Sequence, residues 1–445
     1  MRTPYRAFVM ACGWWISGFV AAWPGSGAAW GDTARADGVV LERTMLPGPG
    51  DRFARVDFTC WLPEPGRPVR AVIIHQHGCG NSSATTNPPV ARDFHWQALA
   101  RKHDCALIVP HYTVNGECAD WNDPDSGSER ALFAALREFA ARAGQPALET
   151  APWVLWGHSG GSSWAVQMIL RHPGRVLAAS LRGGCHKQFG DPAFRARFVA
   201  TARELPLLFV WGRDESVSKS RHYVSWEPMQ AMFRELRAGG GRVALAVDPR
   251  TEHHCGDSRL LVLPYFDAVL SARLHDREMP GAWVSVASRD VVAAGPGVRN
   301  DPGHAWLPSA IVARQWRQFS ATGTVTRSRA PSKPPVLWAT PGDDARSVAL
   351  RWCVEPELDG GLRTLRIYRD GIVWREIGGK PGAFLATNRD SPPYGLHAAT
   401  MRDETVRPGA THGYALSFVD GAGTESALSA AVEVRVPSAP PQPDR

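Results

Sequence analysis

The sequence predicts an α/β fold, a mainly parallel sheet with helices on both faces, followed by a small all-β sandwich. Three observations predict it. Between residues 69 and 274, short apolar runs of β type alternate with segments of helical period. Inside that stretch the apolar run "WVLW" ends in Gly157-His158-Ser159-Gly160-Gly161 and leads straight into a helical pattern. Beyond the proline-rich "RAPSKPP", helical period gives way to period-two alternation punctuated by turn signals.

The elements follow in order. Residues 69–75 and 106–110 read as buried strands, with helical spacing over 92–103 between them. In "ERALFAALREFAARA", Leu132, Phe133, Leu136 and Phe139 share one stripe and Gly144 closes the helix. Strands are expected at 153–156, 177–181, 206–211 and 242–247, with helices near 162–171, 227–238 and 258–274. From residue 275 to 334 periodicity fades into an irregular extension and linker, with one short helix around 309–319. Alternation at 347–354, 365–368 and 414–419, with turns at Asp359-Gly360-Gly361 and Asp370-Gly371, makes 335–436 the sandwich and 437–445 a disordered tail.

At 445 residues the chain is long enough for one large and one smaller domain. Its net charge of +7 comes from arginines scattered along the chain, and without a basic cluster a nucleic-acid partner is not expected. Arg2 and Arg6 precede a mostly apolar stretch over 7–22 and then Pro24, which reads as a secretory signal peptide over 1–36. Ala34-Arg35-Ala36 offers a cleavage site, with Ala29 the runner-up. The apolar stretch is short for a membrane span and no later segment is long enough, so a secreted or periplasmic protein without stable membrane insertion is expected.

Export makes disulfides reasonable. Eight cysteines less Cys12 leave seven, an odd number, and Cys353 is the candidate to stay unpaired. Cys185 and Cys255 both fall near the active-site rim, where a disulfide between them is expected to brace that loop, and Cys79 could likewise reach Cys118. No Cys-x-x-Cys pair is present, which disfavours structural zinc. A rival metal cluster would use Cys185, His186, His253 and Cys255.

A strand that ends in Gly-x-Ser-x-Gly and turns into a helix leaves the serine on a tight bend, where only small neighbours avoid a clash. Ser159 is therefore the candidate nucleophile, and the Gly160 N–H at the helix start can face a developing oxyanion. A serine hydroxyl needs a histidine base, and the base needs a carboxylate to orient it. Residues 206–211 run into Gly212-Arg213-Asp214-Glu215, two carboxylates at the proper sheet edge. Asp214 is the commoner residue type and is preferred, while Glu215 has the commoner spacing from the glycine. The loop "TEHHCGD" carries the base, His253 by preference and His254 as alternative. In "IIHQHGCG" the Cys79 N–H is the expected second oxyanion donor. Trp121, in a polar loop, and His158 are candidates to contact substrate, with Trp306 another cleft aromatic; Trp156 and Trp211 belong to the core.

Taken together, His77-Gly78, the Gly157–Gly161 motif, the Asp214/Glu215 turn and His253 resemble the α/β-hydrolase superfamily over about residues 53–274. The "HGCG" and "GHSGG" pair is similar to secreted esterases of the polyhydroxyalkanoate-depolymerase and feruloyl-esterase type. "VALRWCVEP", "LRIYRDG" and "GYALSFVDGAGTESALS" resemble a fibronectin type III module, with Trp352 and Tyr414 in its core positions. The resemblance implies a serine hydrolase without a cofactor that acts on an ester, of an extracellular polymer or its fragments. Two alternatives stand beside it, a serine peptidase of the same fold and a non-catalytic binding scaffold.

Overall fold

A computed structural model describes residues 38–63, 66–79, 90–114, 121–326, 330–378 and 400–438. The expected signal peptide and nearly all of the expected tail lie outside them. Eight strands form one sheet in the order β1-β2-β4-β3-β5-β6-β7-β8. They are β1 (Val39–Met45), β2 (Arg55–Leu62), β3 (Ala71–Gln76), β4 (Cys105–Thr113), β5 (Trp153–His158), β6 (Val176–Arg182), β7 (Leu207–Gly212) and β8 (Val243–Asp248). β1 and β2 pair antiparallel, as do β2 and β4, and every pairing from β4 through β8 is parallel. β3, β5 and β7 are buried along their whole length, which is why they read as unbroken apolar runs.

Among the described residues, six helices of nine residues or more accompany this sheet: α1 (Phe94–Lys102), α2 (Ser128–Ala143), α3 (Gly160–Arg171), α4 (Pro192–Ala202), α5 (Trp226–Ala238) and α6 (Arg259–Arg273). Their ends follow capping chemistry. The Asp93 carboxylate accepts from the His95 and Trp96 amides, and Asp191 from Ala193. Gly144 closes α2 in the left-handed region. β1 and β2 were not expected. β1 is an edge strand in which no residue is fully buried, so its sequence, "VVLERTM", carries little hydrophobic contrast.

The segment expected to be irregular is ordered. β9 (Ala282–Ser285), β10 (Val291–Val292) and β11 (His304–Leu307) form an antiparallel sheet in the order β10-β9-β11. α7 (Ala310–Thr322) follows, capped by the Ser309 hydroxyl. The Trp316 indole N–H donates to the Leu245 carbonyl of β8 at 2.9 Å. Val284, Ala305, Leu307, Trp316 and Phe319 belong to the same core as the large sheet. Strands of two to four residues are too short to show period-two alternation.

Two further antiparallel sheets make the C-terminal unit. β12 (Val336–Pro341), β13 (Val348–Cys353) and β16 (Thr400–Asp403) form one, in the order β12-β13-β16. β15 (Ile372–Gly378), β14 (Thr364–Arg369), β17 (Thr411–Val419) and β18 (Val432–Arg435) form the other, in that order. Leu350, Trp352, Ile367, Tyr414, Leu416 and Phe418 fill the core they share. The Tyr414 hydroxyl donates to Asp403 at 2.8 Å. Phe94, the first residue of α1, packs into this same core. Beside it, the His95 Nε2–H donates to the Leu358 carbonyl at 2.9 Å, so α1 is fastened to the sandwich by packing and by a hydrogen bond.

Candidate active site

β5 ends at His158, and the chain turns through Ser159 into α3 with Ser159 at φ 54°, ψ −117°. A positive φ is costly for a residue with a Cβ and persists only where the surroundings enforce it. Here they do. The Ser159 N–H donates to the Arg182 carbonyl at 2.8 Å, and its own carbonyl accepts from the Ser162 and Ser163 amides. A Cβ at Gly157 would stand 2.6 Å from the Gly161 carbonyl oxygen, and one at Gly161 would stand 2.1 Å from that of Gln76. Gly78 and Gly184 press on the serine itself: added Cβ atoms would lie 2.6 Å from its Cβ and 2.2 Å from its carbonyl oxygen. The turn is thus walled by glycines from three strand ends, and Ser159 stays partly exposed.

The acid turn leaves β7 at Gly212 as a single 3-10 turn, Arg213–Ser216. One such turn brings the third residue back over the strand end. The Gly212 N–H accordingly donates to Glu215 Oε2 at 2.9 Å. Glu215 is completely buried, whereas Asp214 points to solvent. Of the two carboxylates, the structure brings Glu215 to the histidine and not the preferred Asp214, because three-residue spacing rather than residue type decides which side chain faces inward.

His253 sits on the loop after β8, and its Nδ1–H donates to Glu215 Oε1 at 2.6 Å. Its Nε2 is buried and has no hydrogen-bond partner. Burial holds the imidazole far below its ordinary pKa, and His222 and Arg182 push the same way. The ring is therefore neutral, and with Nδ1 carrying the proton given to Glu215, its Nε2 holds a free lone pair. Burial raises the Glu215 carboxyl, against which the Arg182 guanidinium and the Gly212 amide both pull. A Cβ added at Gly183 would lie 2.7 Å from His253 Cε1, so Gly183 touches the histidine and Gly184 touches the serine. Those two consecutive glycines join the two halves of the site.

Two residues here were not expected from the sequence. Arg182, at the end of β6, is 1% exposed. Its Nη1 donates to Glu215 Oε2 at 3.1 Å. Its Nη2 donates to Thr251 Oγ1 at 3.2 Å, to the Glu252 carbonyl at 2.7 Å and to the His254 carbonyl. The signal was an arginine closing a buried apolar strand, since a charge there must find partners. The second is His222, whose ring lies flat on His253 with centroids 3.7 Å apart and planes at 12°. Its Nδ1–H donates to Glu252 Oε1 at 3.3 Å. Nothing in "SKSRHYV" distinguishes it from a solvated loop histidine.

Both residues expected to contact substrate are placed elsewhere. His158 is 3% exposed and donates from Nε2 to the His253 carbonyl at 2.9 Å, which braces the histidine loop from below. Trp121 is 2% exposed and stacks on Tyr112 at 5.0 Å and 3°, because Tyr112 with Phe53 and Phe58 offers it an aromatic slot. Trp306 is likewise buried, on β11. His254 is half-buried and meets Arg182 through its carbonyl.

Gly160 opens α3, so its N–H belongs to the first helical turn, where no intrahelical acceptor exists. Cys79 is exposed, follows Gly78 and is disulfide-bonded; Cys118 lies outside the described residues. Cys185 and Cys255 do not bridge each other. Both are buried thiols, as are Cys60 and Cys105, and burial pushes the Cys185 thiol well up. Cys353 is thus not alone in being a thiol. One group of three metal-type ligands occurs among the described residues, Glu215, His222 and His253. Its two imidazoles are stacked, so their in-plane lone pairs run side by side instead of converging, and Glu215 Oε1 is already taken by His253. The expected rival set relied on His186, whose side chain is not among the described ones.

No family model matches this chain, and no curated protein does. Among solved structures it is similar to the feruloyl esterase module from Clostridium thermocellum, at 15% identity over 55% of this chain and 90% of that one, with a TM-score of 0.37. A poly(3-hydroxybutyrate) depolymerase from Bordetella parapertussis gives 14% identity over 53% and 88%, with a TM-score of 0.35. An S-formylglutathione hydrolase from Agrobacterium tumefaciens gives 14% over 54% and 95%, also with a TM-score of 0.35. Similarity this low transfers neither substrate nor activity, and the site itself must carry the functional reading.

Proposed function

We propose that this protein is a serine hydrolase of the α/β-hydrolase superfamily that cleaves carboxylic esters through an acyl-enzyme. The observation that carries the reading is the buried His253–Glu215 pair, with Nε2 of the histidine unpartnered, beside a serine held at positive φ. Ser159 Oγ attacks the ester carbonyl while its proton passes to His253 Nε2. Glu215 holds Nδ1 and offsets the imidazolium charge. The Gly160 and Cys79 amides donate to the oxyanion. Collapse of the tetrahedral intermediate expels the alcohol with the proton from His253, and water, activated by the same base, releases the acid. The resemblance of the N-terminus to a signal peptide and of the C-terminal unit to a fibronectin type III module favours an exported enzyme acting on a polymer or its fragments.

The test is turnover of p-nitrophenyl esters of increasing acyl length by the mature chain and by Ser159→Ala, with a fluorophosphonate label located by mass spectrometry. Label on Ser159, and turnover lost in the variant, is the expected outcome. A folded wild-type chain that neither turns over nor labels would sink the reading and return attention to a binding scaffold.

A further inference from the structure

Two histidine–carboxylate pairs lie one upon the other at the loop after β8. His253 donates to Glu215, His222 donates to Glu252, and the two rings are stacked. The proposed mechanism uses only the first pair. A catalytic imidazole held by one hydrogen bond at Nδ1 remains free to swing out of its plane, because that bond fixes direction and not tilt. His253 has that freedom removed. Glu215 meets it in the ring plane, Gly183 packs at Cε1, and His222 covers a face.

His222 is itself held in place. The Glu252 carboxylate that accepts from it also accepts from the Ser220 hydroxyl, which keeps that carboxyl below its usual range and ionised. The backbone of the turn is tied down as well: the Ser225 hydroxyl donates to the His222 carbonyl at 2.8 Å and accepts from the Trp211 indole at 3.3 Å. A surface loop histidine with no role would not need its ring fixed by a dedicated carboxylate on the residue adjoining the base.

We propose that His222 is a positioning residue for the general base: its ring, anchored by Glu252, holds the His253 imidazole in the plane that aims Nε2 at the Ser159 hydroxyl. This rests on the Ser159–His253–Glu215 reading. As the Oγ–H bond breaks and the Nε2–H bond forms, the resulting imidazolium presents its charge to the π face of His222.

The experiment compares the full mature chain with His222→Ala, His222→Phe and Ser159→Ala. His222→Ala is expected to lower kcat roughly tenfold with KM within about twofold, since alignment and not binding is lost. His222→Phe, which keeps a flat ring, restores most of kcat. A second readout does not depend on turnover. In the Ser159→Ala background, the NMR resonance of the His253 Cε1 proton is displaced by the stacked ring, and it returns to its ordinary position with His222→Ala but not with His222→Phe. Wild-type kcat in His222→Ala would overturn the proposal, as would equal impairment of the alanine and phenylalanine variants or an unmoved resonance. If Ser159→Ala keeps full turnover, the hydrolase reading falls instead, and the NMR comparison alone decides whether the stack exists.

Discussion

Arg182 and Glu215 form a buried ion pair, Nη1 to Oε2 at 3.1 Å, with both side chains almost wholly shielded from water. The other guanidinium nitrogen holds the loop that carries His253. One cation thus fixes the carboxylate and the histidine relative to each other. Planar, multidentate donation of this kind suits arginine and not lysine.

Removing that cation leaves a buried carboxylate unpaired and loosens the loop. Arg182→Met is expected to cost about 3–5 kcal/mol of stability and to reduce kcat/KM by roughly 100-fold through misplacement of the base. Arg182→Lys should recover charge without recovering the fork. Denaturant unfolding beside ester kinetics checks both, and an active, stable Arg182→Met would refute the assignment.

The identity of the acid is decided by a pair of amides. Glu215→Gln keeps shape but cannot stabilise the imidazolium, and kcat should fall by about 10³–10⁴-fold, the range known for such replacements in triads. Asp214→Asn, altering an exposed side chain, should stay within about twofold of wild type. The reverse pattern would hand the role to Asp214.

The depressed pKa of His253 sets a pH dependence with a definite sign. Unfolded, the imidazole binds a proton below about pH 6.5, whereas the folded ring resists it to much lower pH. In that window the unfolded state binds more protons, so stability rises with pH. The contribution is complete above about pH 6.5 and is lost as pH falls, at up to about 1.4 kcal/mol per pH unit. Thermal unfolding followed from about pH 4 to about pH 8 should show this slope, reduced in His253→Phe. An unchanged slope in the variant would mean that other groups carry it.

Gly184→Ala should abolish turnover while leaving most of the fold intact. The new methyl group would meet the Ser159 carbonyl at 2.2 Å, and Gly184 sits at φ 80°, which disfavours any side chain. Loss of fluorophosphonate labelling with a retained unfolding transition is the expected result; full labelling would contradict the close approach.

The sequence disclosed those parts of the molecule that local chemistry specifies. Unbroken apolar runs marked β3, β5 and β7, and the glycines around Ser159 marked the turn, because each follows from burial or from steric room over a few residues. The Thr251–Asp257 loop was legible as the histidine's location for the same reason. What stayed hidden depends on contacts distant in sequence. Trp121 sits in a polar stretch and reads as a ring lining the cleft, yet Tyr112 buries it. His158 adjoins the serine but turns toward the His253 carbonyl, 95 residues away. Between Asp214 and Glu215 residue preference misled, since a single hydrogen bond from Gly212 fixes the rotation of the turn.

Phe94 belongs by sequence to the large sheet's first helix and by packing to the sandwich. A module strung on a proline-rich tether sweeps a volume and finds its target independently of its neighbour. One whose interior contains a side chain from that neighbour has a fixed bearing.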